Sequence, residues 1–151
     1  MEGVRDVGML IGRVLLVLIF VISGFEKLTN ASGTMAQMSA HGIPFPPLAL
    51  AVSILVEFGC GLLVMIGYQA RWAALVIFLW FIPVTLIFHV AGYRQALAQH
   101  QAMTALIQQI MYMKNISIMG GLLMVFSTGA GALSIDGRGS AAEAMGARRA
   151  A

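Results

Sequence analysis

The chain has 151 residues, of which 60% are hydrophobic and only 10% are charged, with a formal net charge of +3. Soluble domains carry about 25% charged residues, so this composition excludes a soluble globular domain and indicates an integral membrane protein. The basic residues are scattered among apolar runs, so we expect no nucleic-acid binding and attribute them to membrane topology. The only cysteine is Cys60, which excludes an intrachain disulfide and a CxxC redox pair.

Four apolar segments have about the 20-residue length that a membrane-spanning helix needs. The predicted spans are residues 8–25, 48–66, 72–91 and 110–128. No A-x-A-type cleavage site follows the first segment, which continues directly into SGFEKL, so we interpret it as an uncleaved helix rather than a signal peptide. The expected fold is an all-α integral membrane protein, a bundle of four transmembrane helices in one domain over residues 1–128.

The connections between the spans differ in composition. Before the second span, the prolines of HGIPFPP disfavour helix at the preceding residues. The short turn over residues 67–71 makes the second and third spans an antiparallel hairpin. Residues 93–109 are polar with a helical composition, which indicates a surface-lying helix. Residues 129–151 consist largely of Gly, Ala, Ser and Arg, which is typical of a flexible tail.

An even number of crossings places both termini on one side of the membrane. That side has an excess of arginines: Arg5, Arg71, Arg138, Arg148 and Arg149. Cytoplasmic loops carry an excess of Lys and Arg, so the termini are predicted to be cytoplasmic.

Glu57 lies at the midpoint of the second span. A carboxylate at that depth costs at least about 2.5 kcal/mol, and such a residue normally has a partner inside the bundle. Arg13 lies roughly 7 Å and Glu57 roughly 13 Å from the same membrane edge, at the rise of an α-helix. We therefore predict a structural ion pair between Arg13 and Glu57. The alternative is that Glu57 relays protons or serves a redox site.

A second polar cluster is expected at the opposite end of the bundle. Its members are Glu26, Lys27, His89, Lys114 and Asn115. A lone lysine near a helix end usually extends its ammonium group to the interface, and a lone histidine there usually makes an interfacial hydrogen bond. Together these groups suit a quinone head group or an anionic substrate, with His89 as the proton carrier. His41 and His100 lie on loops, so we expect no metal site.

Several stretches together resemble the DoxX family of small bacterial membrane proteins. They are GRVLLVLIFVISGFEKL, GIPFP, VEFGCGLLVMIGYQAR, a span ending in FHV, and MKNISIMGGLLMV. The resemblance covers residues 12–136 and implies a four-helix bundle in the bacterial inner membrane. The family's recurring polar positions would be Arg13, Ser23, Gly24, Lys27, Glu57, His89, Lys114 and Asn115. Relatives are linked to thiosulfate:quinone oxidoreductase subunits and to complexes that handle thiol and oxidative stress.

The leading functional hypothesis is a membrane subunit of a quinone-linked oxidoreductase system. His89 and Glu57 would be catalytic, and Lys27, Lys114, Asn115 and His89 would bind quinone. No pattern for haem, flavin or metal binding is evident. One alternative is a non-catalytic membrane anchor or assembly partner of a redox enzyme, and another is a small-solute or proton transporter. Besides the lipid bilayer, the expected partners are a redox-enzyme subunit and, through glycine-rich helix faces, a second copy of the chain.

Overall fold

A computed structural model describes residues 2–139, and within them it contains helices and no strand. Four helical stretches are long and apolar enough to cross a membrane, over Gly3–Thr29, Pro46–Ile66, Ala70–Ala98 and Ala102–Thr128. The all-helical, four-span prediction is confirmed. The cytoplasmic position of the termini stays a prediction.

The first and last spans are continuous α-helices, and the middle two each contain a π-helical segment. In chain order the elements are α1 (Glu2–Thr29), α2 (Ala31–Ala40), α3 (Pro46–Ile54), π1 (Leu55–Cys60), α4 (Gly61–Ile66), α5 (Ala70–Val84), π2 (Thr85–Val90), α6 (Ala91–Ala98) and α7 (Ala102–Thr128). Pro46 and Pro47 open α3, where a missing N–H group costs no hydrogen bond. Gly67 ends α4 with a φ of 73°, a conformation that glycine adopts without strain.

One stripe of α1 faces the rest of the bundle. Arg13, Val17, Phe20 and Gly24 are its buried residues, and their spacing of three and four is that of one helix face. Phe20 packs edge-on against Phe81 of α5, with ring centroids 4.8 Å apart. The large apolar side chains on the opposite face, such as Leu15, which is 65% exposed, would face lipid in a membrane.

Two local expectations about the connections between spans differ from the structure. The predicted loop before the second span contains α2, which is capped by the Asn30 side chain accepting from the Gly33 N–H. Residues 93–109 do not form a separate surface-lying helix, because α6 continues the third span and α7 begins at Ala102. At 1.5 Å per residue these spans measure about 40 Å, so their polar ends extend beyond a bilayer core of about 30 Å.

The predicted flexible tail is wrong for residues 129–139, which fold back onto the bundle. The Asp136 carboxylate accepts hydrogen bonds from the Gln69 and Ala70 N–H groups at 2.9 and 3.1 Å, and the Asp136 N–H donates to the Gly67 carbonyl. Composition could not reveal these contacts, because they depend on the turn before α5. The rest of the predicted tail, residues 140–151, lies outside the described residues.

Candidate functional site

Glu57 lies in π1 and is only 5% exposed. Its Oε2 atom accepts hydrogen bonds from the Lys27 Nζ at 2.7 Å and from the Ser23 Oγ at 2.8 Å. Its Oε1 atom accepts from the Ser53 Oγ at 2.9 Å. Lys27 also donates to Ser23 at 2.6 Å. The carboxylate therefore has an opposite charge and two hydroxyl donors, which a buried charge requires.

The predicted Arg13–Glu57 ion pair is wrong, because α1 and the second span pack in a different register. Gly24 of α1 lies against Phe58, and Gly61 lies against Val21. This antiparallel register places Glu57 opposite Ser23, ten residues beyond Arg13, or about 15 Å along the helix. Lys27, one turn beyond Ser23, is within reach of Glu57.

Arg13 instead binds carbonyl groups at the end of the bundle where the described chain begins, here called the termini end. Its Nε atom donates to the Met65 carbonyl at 3.3 Å and its Nη2 atom to the Leu133 carbonyl at 3.1 Å. Its Nη1 atom donates to the Ala130 carbonyl. Asp136 lies close enough for a charge interaction with Arg13. Arg13 thus holds residues 129–139 on the bundle and takes no part in the Glu57 site.

His89 lies in π2, and its Nδ1 atom is 2.9 Å from the Gln108 Oε1 atom of α7. The Asn115 Nδ2 atom donates to the Thr85 Oγ1 at 3.0 Å, and Thr85 donates to the Phe81 carbonyl. Pro83 precedes π2 and has no N–H group, which favours a local departure from α-helical bonding. Glu57 and His89 therefore both lie on π-helical segments, which occur frequently at functional sites.

A cavity surrounds the Lys27–Glu57 pair at the opposite end of the bundle, here called the Lys27 end. Its larger lobe has a volume of about 360 Å³, and its smaller lobe has a volume of about 210 Å³. Lys27, Glu57, Val84 and His89 line both lobes. The other walls of the larger lobe are mostly apolar and include Met38, Trp80, Pro83, Ile87 and Phe88. The charged groups Lys27 and Glu57 lie where the lobes meet, within a larger lobe whose wall is mostly apolar, as in many small-molecule sites.

The structure places most residues of the predicted polar cluster in the cavity wall, some at its centre and one at its edge. Lys27 and His89 line both lobes, and Asn115 and Lys114 line the smaller one. Asn115 is 2% exposed and hydrogen-bonded to Thr85. Lys114 is exposed, and its Nζ atom contacts the Met111 sulfur at 3.4 Å. Lys114 is therefore at the edge of the site, whereas Lys27 is at its centre.

Sequence reasoning missed Ser53 and the α2 residues that line the larger lobe, Thr34, Gln37 and Met38. Ser53 lies one helical turn before Glu57 on the same face, so its spacing of four was a usable signal. The sequence signal for α2 was weaker. Asn30 is a residue type that caps helices, but no apolar periodicity follows it to predict a helix.

Comparison with known proteins supports one family. The DoxX family profile matches residues 8–90 of the chain. The chain is 35% identical to the inner membrane protein YqjF of Escherichia coli K12, over 90% of this chain and 95% of that protein. It is also 35% identical to the inner membrane protein YphA of the same organism, over 89% of this chain and 91% of that protein. No solved structure matches the chain significantly.

These relatives and the four membrane-spanning helices confirm the predicted inner-membrane localisation. The family match includes Lys27, Glu57 and His89, the polar residues that line both lobes of the cavity. It also includes both π-helical segments. The chain therefore belongs to the DoxX family.

Proposed function

We propose that the cavity at the Lys27 end binds the head group of a membrane quinone, and that the chain is a membrane subunit of a quinone-linked oxidoreductase system. The observation that supports this proposal is the position of Lys27, Glu57 and His89 in the wall of a mostly apolar cavity. Such a cavity suits a ring that is apolar on its faces and carries carbonyl oxygens at its edges. The lysine ammonium and the imidazole are donors for those oxygens.

The charge balance of the site favours a neutral ligand over an anion such as thiosulfate. The Lys27 ammonium is 2.7 Å from the Glu57 carboxylate, which has a side-chain exposure of only 6%. An anion entering the cavity would be attracted by the Lys27 ammonium and repelled by the Glu57 carboxylate at nearly the same distance, so the two Coulomb energies would largely cancel. Lys114 is an additional cation, but it lies at the exposed edge of the smaller lobe. A quinone carbonyl can accept a hydrogen bond without such repulsion.

Reduction of a quinone to a quinol takes up two electrons and two protons. In the proposed function, His89 passes these protons to the quinone oxygens, since an imidazole nitrogen can donate or accept a proton. The hydroxyls of Ser23 and Ser53 and the Lys27 ammonium hold Glu57 beside the ring. Cys60 is the only cysteine of the chain, so no intrachain dithiol can donate electrons. In the proposed function the two electrons therefore come from thiols or thiosulfate, which are oxidised either directly or by a partner subunit.

The test is to purify the protein in a mild detergent and to measure extracted quinone by mass spectrometry. We expect about one quinone per chain, retained in His100→Asn and largely lost in His89→Asn. His100 is the matched control, because it is an exposed histidine remote from the cavity lining. Unaltered circular dichroism would show that His89→Asn is folded. Absence of quinone, or equal retention in both variants, would contradict the proposal.

A second candidate is a non-catalytic membrane anchor for a redox enzyme. It is favoured by the complete pairing of Glu57, since both carboxylate oxygens already accept hydrogen bonds within the bundle. Such pairing is also what a purely structural ion pair requires. The same purified sample distinguishes the two, because an anchor would retain a redox-active partner protein at constant stoichiometry and contain no quinone.

A further inference from the structure

The second and third spans separate from each other toward the Lys27 end. Near the termini end α4 packs directly on α5. Further along, α3 makes its main contacts with α1, α2 and π1, whereas π2 makes its main contacts with α5, α6 and α7. The two spans therefore contact different neighbours at the Lys27 end, and a gap remains between α3 and π2.

The larger lobe of the cavity lies in this gap. Ala49 and Ser53 of the second span line one side, and Pro83 and Ile87 of the third span line the other. Pro83 is exposed and Ile87 is 39% exposed. Leu48, which precedes Ala49, and Leu86, which precedes Ile87, are 66% and 55% exposed, as is typical of a lipid-facing surface. The lobe thus extends from the Lys27–Glu57 pair to the side of the bundle that would face lipid.

The α2 helix and the turn after it lie along the edge of the same lobe. Met38 of α2, which is 7% exposed, and Ile43 contribute apolar walls there, beside Thr34 and Gln37. These residues line one edge of the lobe with both apolar and polar side chains. Between α3 and π2, the lining side chains are apolar apart from Ser53 and His89.

We propose that the ligand enters from the bilayer between α3 and π2, and that its apolar tail stays in this gap while its head lies beside Lys27, Glu57 and His89. This inference rests on the proposed function and specifies the ligand as a long-chain quinone dissolved in the membrane. A tail that moves from lipid into this gap gains van der Waals packing against its walls, because lipid is already as apolar as the gap. A ring without a tail would use only the polar part of the cavity.

The test uses Trp80, which lines the larger lobe, as a fluorescent reporter. The only other tryptophan is Trp72, which is exposed and packs on Phe126, so Trp72→Phe leaves a single-tryptophan protein. This protein is placed in lipid nanodiscs. Quenching of Trp80 is titrated with a long-chain ubiquinone and with the same benzoquinone ring without a tail.

We expect Ala49→Phe to weaken binding of the long-chain quinone by about tenfold, because the added phenyl group occupies space that the tail would fill; tenfold corresponds to about 1.4 kcal/mol. Binding of the ring without a tail should change less than about threefold. The matched control is Ala51→Phe, which adds the same phenyl group to an exposed position of α3 outside the cavity lining. We expect this control to bind both quinones normally.

A second variant, Ile87→Phe, narrows the gap from the opposite side and keeps the test valid if Ala49→Phe does not fold. An equal effect on both quinones, or no effect on either, would overturn the inference while the proposed function stands. If neither quinone quenches Trp80 in the protein without cavity substitutions, the proposed function fails and the inference fails with it.

Discussion

At the scale of single residues, Glu57 determines how the Lys27 end is organised. A buried carboxylate is stable only if its neighbours replace the water that it has lost. Three side chains do so here, from Ser23 and Lys27 of α1 and from Ser53 of α3. Lys27 is the only cation among them, and its side chain keeps 20% of its surface exposed. The pair therefore links α1 to the second span at the level of the cavity.

Glu57→Gln should destabilise the protein by about 3 kcal/mol, because it leaves the Lys27 ammonium without its carboxylate in a largely buried site. Lys27→Met should have a similar effect for the opposite reason. The double variant should be clearly more stable than the sum of the two losses predicts, with a coupling energy of about 1–3 kcal/mol. Denaturant titration in detergent micelles would measure all four free energies of unfolding. Strict additivity would show that the two charges do not interact.

That Glu57 has a partner was predictable from its residue type and depth, but the partner itself was not. The estimate from depth assumed that Arg13 was the nearest cation, and the register of α1 against π1 shows otherwise. The register of two helices depends on where small residues on both of them allow a close approach, so it cannot be predicted from either helix alone. Arg13 and Lys27 lie fourteen residues apart, on nearly the same face of α1, so helix face alone does not distinguish the two.

At the scale of elements, the close approach of α1 and π1 is centred on Gly24. A Cβ atom added there would lie 2.6 Å from the Phe58 Cβ and 2.7 Å from the Phe58 backbone nitrogen. The backbone of π1 cannot move away without shifting Glu57, the preceding residue. Gly24 therefore sets the distance across which Ser23 and Lys27 reach the carboxylate.

Gly24→Ala should lower stability by about 1–3 kcal/mol, as is usual for an added methyl group in a well-packed interface. Gly8→Ala is the matched control on the same helix, since an added Cβ there meets nothing within 4 Å. It should be neutral or slightly stabilising, because alanine favours helix over glycine. Thermal unfolding of both variants in the same detergent makes the comparison. Equal melting temperatures would contradict the close packing of α1 on π1.

The four spans were predictable because hydrophobic length is a local property of the sequence. The two π-helical segments were not, although a proline within a predicted span, such as Pro83, marks a position where a helix can bend. A π-helical segment adds one residue per turn locally and changes which side chains face the bundle beyond it. It is stabilised by tertiary contacts, such as Thr85 with Asn115 and Glu57 with Ser23, and these are absent from any local pattern.

At the scale of the whole molecule, the bundle is closed differently at its two ends. The Lys27 end contains the cavity, whereas residues 129–139 cover the termini end. Arg13 binds the carbonyls of Ala130 and Leu133, and Asp136 binds the first N–H groups of the third span. The termini end is therefore held by polar contacts between distant parts of the chain, whereas α2 lines the cavity at the opposite end.

Asp136→Ala should destabilise the protein by about 1 kcal/mol, because it removes a carboxylate that accepts from the first N–H groups of a helix. Asp136→Asn should have a smaller effect, since one acceptor oxygen remains. Limited trypsin digestion would report the local change, because Arg138 is exposed and lies two residues beyond this contact. We expect faster cleavage after Arg138 in Asp136→Ala than in Asp136→Asn or the parent protein. Equal cleavage rates would show that Asp136 does not hold this segment.

The contacts of Arg13 also have a consequence for how the protein is made. Arg13 is inserted with the first span, but Ala130, whose carbonyl it binds, follows 117 residues later. At a synthesis rate of about 5–20 residues per second, this interval lasts roughly 6–24 seconds. During that time the guanidinium lacks at least two of its three carbonyl partners. A chain released before residue 130 would never gain those two, so the polar closure of the termini end forms only at the end of synthesis.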